Sequence, residues 1–145
     1  MAAIKQILFA TDFSEASAGA AEQAIYLAGL TGANLHVLHV IDELAESQRV
    51  MVPSEAFQTL QKEVELQAFK DLESFCRKVP QTIVTTSHAV IGKPFQKILE
   101  TATEVAADLI VVGTHGRTGI EHVIVGSTAE RIVRRSSVPV LTVRT

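Results

Sequence analysis

The chain has 145 residues, 47% hydrophobic and 20% charged, with a formal net charge of -3 and a pI of about 5.9. That length and composition predict one globular domain with a sizeable core and exclude a disordered chain. The weak acidic balance argues against nucleic acid as a partner, because binding a phosphate backbone calls for a basic surface.

The elements follow in chain order. Ile4 to Ala10 is predicted as the first strand. Ser14 to Leu30 is an alanine-rich helix with Ser14 as its N-cap. Ala20, Ala21, Ala24, Ile25 and Ala28 form its inner face, extended by Ser17. Thr31-Gly32 ends the helix, and Asn34 to Ile41 is the second strand. Asp42 to Pro53 is irregular, and Pro53-Ser54-Glu55 opens a long second helix. Phe57, Leu60, Val64, Ala68, Leu72, Phe75 and Val79 make one apolar stripe along it, before Pro80 stops it. Thr82 to Val90 is β-branched-rich and predicts a third strand. Gly92-Lys-Pro94 turns into a third helix from Phe95 to Ala106. Leu109 to Val112 is the fourth strand, Thr128 to Arg135 the fourth helix, and Val138 to Val143 the fifth strand.

Strands alternating with helices imply parallel pairing, right-handed crossovers and helices on both faces. The expected fold is α/β, a single doubly wound open parallel sheet of five strands in the order 3-2-1-4-5 (Rossmann-like), spanning 1–145 as one domain. The lone Cys76 allows no internal disulfide and reads as a small buried hydrophobe. No apolar run reaches the ~18–20 residues that span a bilayer. The amino end shows no export signal, so a cytoplasmic location is expected, with no membrane partner. His36 and His39, three apart on a strand, point to opposite faces and cannot share a metal there; no metal site is expected. Arg131, Arg134 and Arg135 read as a solvated helix face, with Glu130 four residues before Arg134.

The functional signal is Gly113-Thr-His115-Gly116-Arg-Thr-Gly-Ile-Glu-His-Val-Ile-Val-Gly126-Ser127-Thr128, between a buried strand and a helix. Glycines let backbone amides approach an anion, and a helix N-terminus adds N–H groups with partial positive charge. In an open parallel sheet the ligand sits beyond the carboxyl ends of the strands, where the order reverses. Asp12 ends strand one and Gly113 ends strand four, so the order 3-2-1-4-5 sets them across a crevice. No Gly-Lys-Ser/Thr P-loop occurs, and no glycine follows strand one as a dinucleotide fingerprint needs.

The spacing Gly113-x2-Gly116-x9-Gly126-Ser127 matches the G-2x-G-9x-G-[ST] signature, so the chain resembles the universal stress protein family, and more particularly its ATP-binding branch. The resemblance covers the whole chain, including Ala10-Thr-Asp-Phe-Ser14 and the ending Ser-Val-Pro-Val-Leu-Thr-Val-Arg. It implies that Asp12, beside Ala10 and Thr11, meets the base and ribose, and that Val40 meets adenine through its backbone. Val112, Gly113, His115 and Gly116 would line the ribose and phosphates, and Gly126, Ser127 and Thr128 would hold the outer phosphates. The ligand would be ATP, or AMP or ADP, with Mg²⁺ as accompanying ion. Phe13 departs from the glycine that many members carry after the aspartate.

The family also implies a homodimer through the last strand. The residues point the same way, because 138–143 would be an apolar edge needing cover. The expected function is an adenine-nucleotide-binding stress-response or regulatory protein acting on an unspecified protein partner. No catalytic residue is assigned. Phosphoryl transfer needs Mg²⁺ and a Lys or Arg in place, and Arg117 is the only permanently charged base in the loop. The alternatives are a nucleotide-independent dimeric interaction module of the same fold, or a slow ATP hydrolase.

Overall fold

A computed structural model describes residues 3–42, 53–114 and 126–144. Five strands, β1 (Gln6–Ala10), β2 (Asn34–Ile41), β3 (Thr85–Ile91), β4 (Leu109–Gly113) and β5 (Val140–Val143), form one sheet. Every neighbouring pair is parallel, and the order is β3-β2-β1-β4-β5. The expected α/β architecture and strand order are therefore present. Among the described residues the helices are α1 (Ala18–Thr31), α2 (Ser54–Lys78), α3 (Pro94–Glu104) and α4 (Ser127–Arg135).

Alternation along the central strands makes two cores. Ile7, Phe9, Leu35 and Val37 face one way, onto Ala20, Ala24 and Ala28 of α1 and Leu72 of α2. Leu8 and Leu38 face the other way, onto Ile98 and Ala102 of α3 and Ala129 and Ile132 of α4. Alanines let α1 lie close to the sheet; Ala20 and Ala24 are wholly buried, while Ala21 and Ile25 of the expected face pack at its margin. Gly32 closes α1 at φ 74° and returns its N–H to the Ala28 carbonyl, a left-handed turn that costs glycine nothing. At the same amino-terminal end of the strands Asp108 ties β4 to β1, its Oδ2 accepting the Lys5 and Gln6 amides at 2.8 and 2.9 Å. Those two bonds hold its carboxyl below the usual carboxylate range.

Several boundaries depart from expectation. Ser14 does not cap α1. A 3₁₀ turn, Glu15–Ser17, comes first, and α1 starts at Ala18. The Ser14 Oγ is buried with no hydrogen-bond partner among the described residues, and its amide is bound by Asp12 instead. β3 begins at Thr85 and not at residue 82, because the Pro80 carbonyl takes the Ile83 amide in a turn. β5 begins at Val140, since Pro139 contributes only its carbonyl to the ladder.

The apolar stripe of α2 is buried only at its carboxyl half. Ala68 and Leu72 are covered, but Leu60 and Val64 stay 42% and 40% exposed. Twenty-five residues make a helix of about 37 Å, whereas the eight residues of β2 span about 26 Å. The helix outruns the sheet and its amino half overhangs the strand ends. Cys76, on that helix, is half-buried, which raises its thiol pKa and leaves it poorly reactive. Of Asp42 to Pro53, expected to be irregular, residues 43–52 lie outside the described residues.

His36 and His39 do point to opposite faces. His36 instead meets His88 of β3, Nδ1 to Nε2 at 3.1 Å, with its Nε2 2.8 Å from the Gln6 Oε1. Sequence spacing could not show this pairing, which depends on the β2–β3 register setting Leu38 against His88. Burial lowers both imidazole pKa values from the ordinary 6.5, for His36 with help from His88 and for His88 against the pull of Glu104. A lowered folded pKa means the unfolded chain binds more protons, so the contribution is complete above pH 6.5 and is lost as pH falls. Stability measured by urea unfolding should therefore decline from pH 7 to pH 5, and decline less steeply in His88→Gln. Equal slopes would show that the pair does not titrate against folding.

Candidate functional site

The two crossovers that leave β1 and β4 on opposite sides of the sheet open a crevice beyond the strand ends. A cavity of about 400 Å³ lies there, within the range of small-ligand sites. Ala10 at the end of β1 and Thr11 and Asp12 just after it, Val112 and Gly113 of β4, and Thr128 and Ala129 of α4 line it. Val40, Ile41, Val64 of α2, and Pro94 and Ile98 of α3 make an apolar wall. Asp12, Asp42 and His39 are the ionisable residues of the lining, and no lysine or arginine is among its described members.

A local network builds the Asp12 corner. β1 runs one ladder bond further, from the Thr11 amide to the Leu38 carbonyl at 2.9 Å. The Ser17 hydroxyl donates to the Ser14 carbonyl at 2.8 Å. Its proton is thereby used, so Thr11 Oγ1 donates to Ser17 Oγ at 3.0 Å while accepting the Phe13 amide at 3.0 Å. Asp12 Oδ1 accepts the Ser14 amide at 2.9 Å, closing an Asx turn. Phe13 sits between at φ 61°, the left-handed region. That explains why glycine suits this position: a Cβ there costs about 1–2 kcal/mol.

The opposite corner is the start of α4. Gly126 precedes the helix in an extended conformation and donates its N–H to the Thr114 carbonyl. The first amides of α4 have no carbonyl before them within the helix and carry the positive end of its dipole. Thr128 and Ala129, in that first turn, line the cavity. Beyond it, Arg134 bridges Glu130 at 3.0 Å as expected, and Arg131 and Arg135 lie over the Phe95 ring at 4.9 and 5.6 Å.

Of the residues singled out in the sequence, Ala10, Thr11, Asp12, Val40, Val112, Gly113 and Thr128 line this one cavity. Gly126 and Ser127 stand at the helix start beside it. His115 and Gly116 fall outside the described residues, as do Arg117 and His122. Sequence reasoning passed over Ile41, Asp42, Pro94 and Ile98. The first pair simply continues β2, and the second begins the helix after β3, so strand-end logic could have reached them. Val64 had no such signal, because its place depends on how far α2 overhangs. No group of three or more His, Cys, Asp or Glu among the described residues converges on a metal position.

Residues 3–144 match the family model described as "Universal stress protein family". The chain belongs to the universal stress protein family. It is 35% identical over 144 residues to Universal stress protein MJ0531 of Methanocaldococcus jannaschii, covering 97% of this chain and 82% of that one. The solved structure of protein MJ0577, from the same organism, overlays with a TM-score of 0.87 at 27% identity, covering 99% and 98% of the two chains. A universal stress protein solved in complex with cAMP overlays with a TM-score of 0.70 at 25% identity, covering 99% and 98%. At least one universal stress protein of this fold therefore takes an adenine nucleotide.

Proposed function

We propose that this universal stress protein binds an adenine nucleotide, ATP in particular, in the cleft between Asp12 and the start of α4. The observation that carries this reading is convergence. Seven residues drawn from four separated segments by a nucleotide-site pattern line a single cavity of about 400 Å³. Its apolar wall suits adenine, the Asp12 carboxylate suits ribose hydroxyls or a base N–H, and the N-terminus of α4 suits phosphate. Mg²⁺ would come with the triphosphate, held mainly by its oxygens. Binding is the activity proposed, with occupancy read by a partner protein. The described lining offers no lysine or arginine to balance charge on a transferring phosphoryl group.

Two measurements test this. Acid extraction of purified protein, followed by chromatography, should release an adenine nucleotide. ATP at a hundredfold excess over its dissociation constant should raise the melting temperature by roughly 5–10 °C, from about 2.7 kcal/mol of linkage. No shift with any adenine nucleotide would retire the reading, and ATP turnover that disappears in Asp12→Ala would make it an enzyme.

The same proposal includes a homodimer through the C-terminal strand, 138–143. Among the described residues β5 pairs only with β4. The Pro139 and Val143 carbonyls accept the Ile110 and Thr114 amides, so Val140 and Thr142 turn their own N–H and C=O to the open edge. Thr142→Pro removes an outward amide and leaves the β4 ladder intact. It should convert a dimer to a monomer in analytical ultracentrifugation, and a Thr142→Pro dimer would place the interface elsewhere. The half-buried lone Cys76 suits a cytoplasmic location. Among the described residues no helix is long and apolar enough to cross a membrane.

A further inference from the structure

Asp12 is presented to the cleft by a strand end that is held from a neighbouring strand. His39 of β2 places Nδ1 2.9 Å from the Thr11 carbonyl oxygen. A carbonyl only accepts, so Nδ1 carries the proton and donates it to the residue immediately before Asp12. The same imidazole meets the Phe13 ring, centroids 4.8 Å apart and planes at 41°. One side chain thus grips both flanks of Asp12, the peptide before it and the ring after it. Phe13 is also one of two non-glycine residues at positive φ among those described. A backbone held in that region needs the surroundings to enforce it.

Nothing in packing alone calls for histidine here. Leu35 and Val37, the previous residues on this face of β2, are wholly buried aliphatics. The chain switches to a ring with a directed donor at the point where the strand reaches the cleft. The Asx turn and the Thr11–Phe13 bond are both local to 11–14. Local bonds shape the turn, and the Thr11 amide to Leu38 carbonyl bond ties its start to the sheet; the His39 bond and the Phe13 stack add a side-chain hold on both flanks of Asp12.

We propose that His39, with Phe13 stacked on it, is a positioning residue that aims the Asp12 carboxylate at the nucleoside half of the ligand. This rests on the nucleotide reading above. It predicts a selective effect, because the phosphate half of the cleft belongs to a different segment, the start of α4.

The test uses calorimetric titration of the full chain with ATP and, separately, with inorganic tripolyphosphate. His39→Phe keeps a ring against Phe13 and loses the donor; His39→Asn restores an amide N–H near the Nδ1 position. His39→Phe should weaken ATP about tenfold and leave tripolyphosphate unchanged, and His39→Asn should recover most of the ATP affinity. Amide hydrogen exchange of nucleotide-free protein should speed up at Phe13 and Ser14 in His39→Phe, with Ile7 to Phe9 unchanged. Parallel loss of ATP and tripolyphosphate binding would mark a general structural effect and overturn the proposal. So would wild-type ATP affinity and wild-type exchange in His39→Phe. If the wild type binds no adenine nucleotide, the nucleotide reading fails by itself, and the exchange at Phe13 and Ser14 still decides whether His39 holds the turn.

Discussion

Phe9→Ala should destabilise the protein by about 3–5 kcal/mol, the cost of deleting a buried aromatic ring and leaving the space behind. Phe9 is wholly buried on the central strand β1. Its ring lies 5.6 Å from that of Phe75 on α2, within the core that also holds Ala20, Ala24 and Val111. Rigid strands on both sides limit how far the hole can close. For a chain of this size the melting temperature should fall by about 10–15 °C, and urea unfolding should show a lower midpoint at an unchanged slope. Leu30→Ala offers the contrast, since Leu30 is 68% exposed and should cost within about 0.5 kcal/mol. A Phe9→Ala cost below about 1 kcal/mol would mean that the α1/α2 core is not packed as described.

Gly126→Val should abolish the ATP-induced melting shift while barely altering the nucleotide-free protein. Gly126 has φ -66° and ψ 159°, a conformation open to any L residue. Valine therefore brings no backbone strain, only the weaker capping of a branched apolar side chain, about 1 kcal/mol at most. What it adds is bulk in front of the first amides of α4, where a phosphate must come within hydrogen-bond distance. The linkage of about 2.7 kcal/mol at hundredfold excess should drop to near zero. Full retention of the shift in Gly126→Val would move the phosphates away from this helix. A large fall in the unliganded melting temperature would show that the glycine serves the fold instead.

Sequence patterns reached some features of this protein and stopped at others for identifiable reasons. The alanine face of α1 was legible because Ala20, Ala24 and Ala28 recur at helical spacing. The end of α1 was legible because Gly32 occupies a left-handed turn. Its start was not. Ser14 looks like a cap by residue type, but Asp12 takes its amide and a 3₁₀ turn intervenes. The N-cap position of α1 falls to Ser17, and only the path of the chain leaving β1 put it there.

The cleft divides along the same line. Asp12, Gly113 and Thr128 could be grouped because strand order alone places the carboxyl ends of β1 and β4 side by side. Local periodicity is a short-range rule, so the sequence by itself determined the alternating α/β class, while the order 3-2-1-4-5, which sets Asp12 across from Gly113, was an expectation that the structure bears out. The tertiary structure alone decided the overhang of α2 that brings Val64 to the cavity, the meeting of His36 with His88, and the grip of His39 and Phe13 on Asp12. Each of these depends on register and on element lengths between segments far apart in the chain, and such distances leave no period for a sequence to display.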